Sequence, residues 1–173
     1  MNSRKTLQIA ALLSLPVVFL ALTAESGGRS TLTAVPPQAG GAPHCLMVGG
    51  SISTDLGVID ANTTLGTATG DLRGALAANI LGISQVGNNT LFSVQHHWVT
   101  ESGETLTIDK TTATSTQVAP GLFAIVNYPL HISNGTGKFA GATGDLQVIG
   151  EVNLNVGNTV FRYTGQVCFA DKD

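Results

Sequence analysis

From residue 44 onward the chain alternates apolar and polar positions over short runs, each closed by glycine, asparagine or aspartate. Val, Ile, Thr and aromatic side chains dominate these runs, and no long stretch after residue 24 keeps a helical period, so they read as strands. The pattern predicts strands over Cys45–Val48, Leu72–Leu81, Thr90–Thr100, Thr105–Val118, Leu122–Ile132, Leu146–Asn155 and Val160–Phe169. Asp60–Thr64, Val86–Asn89, Glu101–Glu104, Ala119–Gly121 and Val156–Thr159 carry the turn residues that join them. The expectation is an all-β chain of antiparallel hairpins.

Two features predict that the sheet closes on itself. The first is an internal echo, in which Ala68-Thr-Gly-Asp-Leu72 recurs as Ala142-Thr-Gly-Asp-Leu146. At the same offset Leu56 meets Leu130, Val58 meets Ile132 and Leu65 meets Phe139, which suggests two similar halves; chance recurrence of Gly-Asp turns is the alternative. The second is the placement of the two cysteines, Cys45 and Cys168, on the first and last expected strands. A disulfide between them needs those strands side by side, as barrel closure makes them. Two buried free thiols are the other reading.

The N-terminus carries its own signal. Arg4 and Lys5 precede a mainly apolar run, Leu7–Ala24, with small residues at Ala21 and Ala24. That is the pattern of a secretory signal peptide over residues 1–24. A retained anchor is the rival, weakened by Pro16 and the polar breaks at Gln8 and Ser14. Residues 25–43, rich in glycine and proline, read as a tether, and residues 44–170 as the barrel domain. Export into an oxidising compartment agrees with the disulfide. The formal net charge of −3 excludes the basic surface that nucleic-acid binding needs, and it fits no membrane role after signal cleavage.

One segment is specific enough to compare. Ile132-Ser-Asn-Gly-Thr-Gly-Lys-Phe-Ala-Gly-Ala-Thr-Gly-Asp-Leu146 resembles the turn of the allene oxide cyclase and dirigent-like barrels, and bacterial exported members look similar. His97-Trp-Val-Thr-Glu-Ser-Gly-Glu-Thr-Leu106 also looks like the hairpin found upstream in such proteins. The resemblance implies a closed antiparallel β-barrel of about eight strands, allene oxide cyclase-like and calycin-like, with an apolar lumen. Plant relatives use that lumen to cyclise a fatty-acid epoxide or to steer phenoxy-radical coupling.

Within the segment, Gly135-Thr-Gly-Lys138 lacks the spacing and hydroxyl residue of a phosphate loop. Gly135, Gly137, Gly141 and Gly144 are better read as structural turn residues. Asp71 and Asp145 read as turn formers rather than as a carboxylate pair.

Candidate chemistry lies in the lumen. Strand alternation puts Phe92, Val94, His96 and Trp98 on one face, the more apolar one. Leu122, Ala124, Val126, Tyr128 and Leu130 are expected to share another inward face, and Phe161, Tyr163, Val167 and Phe169 a third. His96 and Tyr163 are the candidate catalytic groups; Phe92, Val94, Trp98, Val126, Tyr128 and Phe161 are the candidate ligand contacts. A filled barrel, in which these are core residues, is the alternative. His96 and His97 point to opposite faces and no ligand-like spacing joins His44 or His131, so no metal or other cofactor is implied. The sequence therefore supports an exported barrel binding a small apolar molecule. Its alternatives are a cofactor-free isomerase or cyclase and a non-catalytic interaction barrel, and a homo-oligomer stays open.

Overall fold

The computed structural model describes residues 44–170; the expected signal peptide (1–24) and tether (25–43) lie outside the described residues. The strands are β1 (His44–Leu56), β2 (Thr63–Ala68), β3 (Gly74–Val86), β4 (Asn89–Thr100) and β5 (Thr105–Ile108). They continue with β6 (Thr111–Ala119), β7 (Leu122–Asn127), β8 (Pro129–Gly135), β9 (Thr143–Asn153) and β10 (Asn158–Phe169). Single 3₁₀ turns occupy Gly70–Leu72 and Gly137–Phe139.

All pairings are antiparallel, and they form a ring. β1 pairs β2, β2 pairs β3, and β3 pairs β4. β4 pairs β5 at one end and β6 at the other, so β5 and β6 are one stave broken at Asp109 and Lys110. β6 pairs β7 and β5 pairs β8, so β7 and β8 are a second broken stave, and both pair β9. β9 pairs β10, and β10 pairs β1 over their full lengths. The result is a closed eight-stave meander barrel, which leaves no exposed sheet edge among the described residues.

The seam lies between β1 and β10. Cys45 and Cys168 are register partners there and form a disulfide, as the placement of the two thiols leads one to expect.

Alternation of staves fixes the two ends. One end, the floor, gathers the start of β1, the β2–β3 and β8–β9 corners, the β4–β5 turn and the end of β10. The other gathers the β1–β2, β3–β4, β6–β7 and β9–β10 loops.

The floor is built from one motif used twice. Thr69-Gly-Asp-Leu-Arg-Gly-Ala75 and Thr136-Gly-Lys-Phe-Ala-Gly-Ala142 each turn through a 3₁₀ step. Thr69 and Thr136 enter it with nearly equal angles, φ −115° and −116°. Gly70 and Gly137 then take φ +83° and +59°, where a β-carbon is strained. Leu72 and Phe139, both 2% exposed, drop into the barrel end.

The echo expected from Ala68–Leu72 and Ala142–Leu146 is therefore not the structural repeat. Its first copy makes the 3₁₀ turn, whereas its second runs into β9.

Other departures have local causes. The run Asp60–Thr64, expected to be a turn throughout, ends in β2, whose Gly66 lies where a β-carbon would meet the Ser53 carbonyl at 2.0 Å. Leu72 belongs to the 3₁₀ turn rather than to a strand, and the expected long strands Thr105–Val118 and Leu122–Ile132 are each broken. Gly144 sits inside β9, not in a turn: a β-carbon there would meet the Gln166 carbonyl at 2.2 Å, so its role is close strand approach. Gly135 ends β8 with the same kind of crowding from Thr105 and Phe139, and Gly141 takes φ +73° in the corner.

Candidate functional site

Inside the staves, inward residues divide into two layers. In the lower layer Leu72, Trp98, Phe139 and Tyr163 are each 2% exposed or less. Trp98 is 1% exposed and Tyr163 fully buried, and their rings meet edge to face at 5.4 Å. The polar atoms there are used. Trp98 Nε1–H donates to the Leu72 carbonyl at 2.8 Å. The Tyr163 hydroxyl donates to the Thr69 carbonyl at 2.8 Å and accepts the Leu72 N–H at 3.0 Å. These bonds tie the first 3₁₀ corner to the two rings it closes against. Phe139 and Phe169 meet at a tilt of 31°, with ring centroids 5.6 Å apart.

Tyr163 was expected to be a catalytic candidate in the lumen, and Trp98 a ligand contact. The structure puts both in the floor, outside the lining of the cavity, with the Tyr163 hydroxyl occupied by backbone groups.

The upper layer encloses a cavity of about 260 Å³. Its deeper wall is hydrocarbon, with Leu76, Phe92, Val94, Ile125, Leu130 and Val148 contributing. It reaches the loop end, where Leu56, Ala61, Asn62, Leu154 and Gly157 border it. Exposed Val58, Ile59, Ile83 and Val156 belong to the loops and strand ends on that side. Thr54 and Thr159, also in the wall, hydrogen-bond each other at 2.7 Å and so cost little to bury.

His96 and Tyr128 interrupt this wall. His96 is 6% and Tyr128 5% exposed, and the tyrosine hydroxyl lies 2.7 Å from His96 Nε2. Tyr128 in turn meets Phe161 edge to face at 6.1 Å. Among the described residues, His96 Nδ1 is the buried side-chain nitrogen or oxygen atom without a hydrogen-bond partner. Burial, with a smaller contribution from neighbouring His97, pulls the His96 pKa down to about 4. Burial pushes the Tyr128 hydroxyl well above the usual tyrosine value. At neutral pH the pair is therefore an uncharged imidazole and an intact phenol.

Phe92, Val94, His96, Tyr128 and Phe161, expected in the lumen, all line this cavity. Val126 does not. It is 55% exposed, because β7 carries an extra residue against β6: Thr114 pairs Asn127 while Ser115 pairs Ile125. Val126 is the residue that bulges, so Phe123 and Ile125 face inward before it, and Tyr128 and Leu130 after it.

Leu76, Leu130 and Val148 also line the cavity, beyond the expected ligand contacts, and β3, β8 and β9 show the same alternation. Among the described residues, no group of three or more His, Cys, Asp or Glu side chains is arranged to hold a metal.

No family model matches the chain, and no curated protein does. Among solved structures, a pterocarpan synthase dirigent protein is similar to it at 14% identity, over 82% of this chain and 99% of that one, with a TM-score of 0.35. So loose a likeness adds no weight to the closed barrel, which stands on its strand pairings.

Proposed function

We propose that this chain is an exported barrel that holds a small, mostly apolar molecule in its lumen. The observation that carries this reading is an apolar cavity whose wall contains a buried imidazole with an unsatisfied nitrogen. A sequence selected only for a filled core would lose little by closing that space with larger side chains. Export is supported by the disulfide across the seam and by the apolar run Leu7–Ala24 behind Arg4 and Lys5. Placement with exported bacterial barrels of the allene oxide cyclase and dirigent-like group rests on the Ile132–Leu146 segment.

The test is a titration of the oxidised protein with menthone and p-menthane, followed by calorimetry and thermal shift. Saturable binding of one molecule per chain, weakened by Ala113→Leu in the cavity wall, is the expected result. No binding of either compound would sink the proposal.

The Tyr128–His96 hydrogen bond favours a second reading, a cofactor-free isomerase or cyclase in which His96 takes a proton from a bound substrate. Exchange of the α-hydrogens of menthone with D₂O, measured by mass spectrometry, reads that activity. A rate equal to that in buffer removes it.

A further inference from the structure

We propose that the lumen selects neutral molecules bearing a hydrogen-bond acceptor oxygen, such as a ketone, aldehyde or ester, and that His96 Nδ1–H is the donor that reads it. The inference rests on the lumen-binding reading and names its ligand class.

Among the described residues, the Tyr128 hydroxyl has one hydrogen-bond partner, His96 Nε2 at 2.7 Å. Two arrangements satisfy that distance. If Nε2–H donates to the phenol oxygen, the phenol hydrogen and the Nδ1 lone pair are unused. If the phenol donates to Nε2, the Nδ1–H and the phenol-oxygen lone pair are unused. The imidazole nitrogen is a much stronger acceptor than a phenol oxygen and the phenol the more acidic donor, so the arrangement that pairs those two and idles the weak acceptor wins. The Tyr128 hydroxyl thus fixes the tautomer, and the tautomer turns Nδ1 into a donor.

A donor in a mostly hydrocarbon wall defines its complement. A water molecule held there would need several polar partners, and the deeper wall offers few. A carboxylate would enter without a cation to meet it, since His96 is uncharged at neutral pH. A carbonyl oxygen on an apolar skeleton meets both conditions. The 260 Å³ cavity is about nine times the volume of a water molecule in the liquid, room for a compound of about ten non-hydrogen atoms. The same tautomer spends the imidazole lone pair on Tyr128. That leaves no base facing the lumen among the described residues and sets the inference against the proton-transfer reading.

The experiment compares menthone, menthol and p-menthane, which share one skeleton, on the wild type and on His96→Phe and Tyr128→Phe. Side-chain ¹⁵N spectra of the unliganded protein read the tautomer in parallel. Menthone should bind about tenfold more tightly than p-menthane. His96→Phe should bring that ratio to about one while p-menthane still binds. Tyr128→Phe, which releases the tautomer, should favour menthol relative to menthone. Should His96→Phe not fold, the double variant His96→Phe/Tyr128→Phe, which leaves no orphaned hydroxyl, takes its place. Equal binding of the three compounds to wild type overturns the selectivity and leaves the lumen reading standing. Failure of all three to bind overturns both. An Nε2–H tautomer overturns the proposal whatever binds.

Discussion

The two layers of the barrel interior are made from the same residue types and behave in opposite ways. In the floor, Trp98 and Tyr163 place every polar atom on a backbone group of the Thr69–Leu72 corner. In the lumen, His96 and Tyr128 satisfy each other and leave one nitrogen over. Both pairs are buried and aromatic; Trp98 and His96 lie on β4 and Tyr163 on β10, while Tyr128 sits at the break between β7 and β8. What differs is the corner: a 3₁₀ turn closes over the first pair, and among the described residues none closes over the second. A buried Tyr or His is thus a structural fastening or a candidate ligand contact according to what lies above it.

The comparison can be tested from its strongest point downward. The floor end also holds the Cys45–Cys168 disulfide, which closes a loop with a sequence separation of 123. Replacing both cysteines by serine should cost up to about 5 kcal/mol in the chain-entropy picture, measured by denaturant titration.

The second test is pH. Folding lowers the His96 pKa from 6.5 to about 4, so the unfolded chain binds this proton more readily. The contribution of neutral His96 is present above pH 6.5 and is lost as pH falls through 6.5 toward 4, by about 3 kcal/mol. His131, raised chiefly by its hydrogen bond to Asp145 at 2.8 Å, works in the other direction, but it is exposed and contributes little. The acid-side loss should disappear in His96→Phe/Tyr128→Phe and persist in floor variants.

Third, Tyr163→Phe should cost about 2 kcal/mol, because it orphans the Leu72 N–H and the Thr69 carbonyl. The matching lumen change, His96→Phe/Tyr128→Phe, removes both polar partners together and should be neutral or stabilising by about 1 kcal/mol. A loss equal to that of Tyr163→Phe would erase the distinction between the layers.

Much of this was legible along the chain, for reasons that particular residues show. β4 reads cleanly because Phe92, Val94, His96 and Trp98 alternate without interruption, and all four are buried. The seam was legible because two cysteines at the ends of the barrel domain allow one pairing. The Val126 bulge was not, since a single extra residue on one strand reverses every later side chain and leaves no mark in composition. The depth of Trp98 and Tyr163 was hidden too. Alternation says which face a residue takes but not how far along the stave a corner will close over it. A usable signal was present in Thr69–Ala75 and Thr136–Ala142, whose shared Thr-Gly-x-Leu/Phe-x-Gly-Ala pattern marks both corners. It was masked by the stronger literal match of Ala68–Leu72 to Ala142–Leu146.

The meander order has a consequence for how the chain reaches this structure. Around the ring each stave meets the one that follows it in sequence, so the ladders up to β10 can form by short-range zippering. The exception is β1 against β10, twelve register pairs running from His44↔Phe169 to Asp55↔Asn158, for which most of the domain must first be brought round. Closure is therefore the entropic bottleneck, and refolding with Cys45–Cys168 left intact should be faster than refolding from the reduced chain. Until the seam zips, the outer strands of the open sheet present unpaired backbone to any neighbouring chain. Self-association during refolding should accordingly concentrate in that interval.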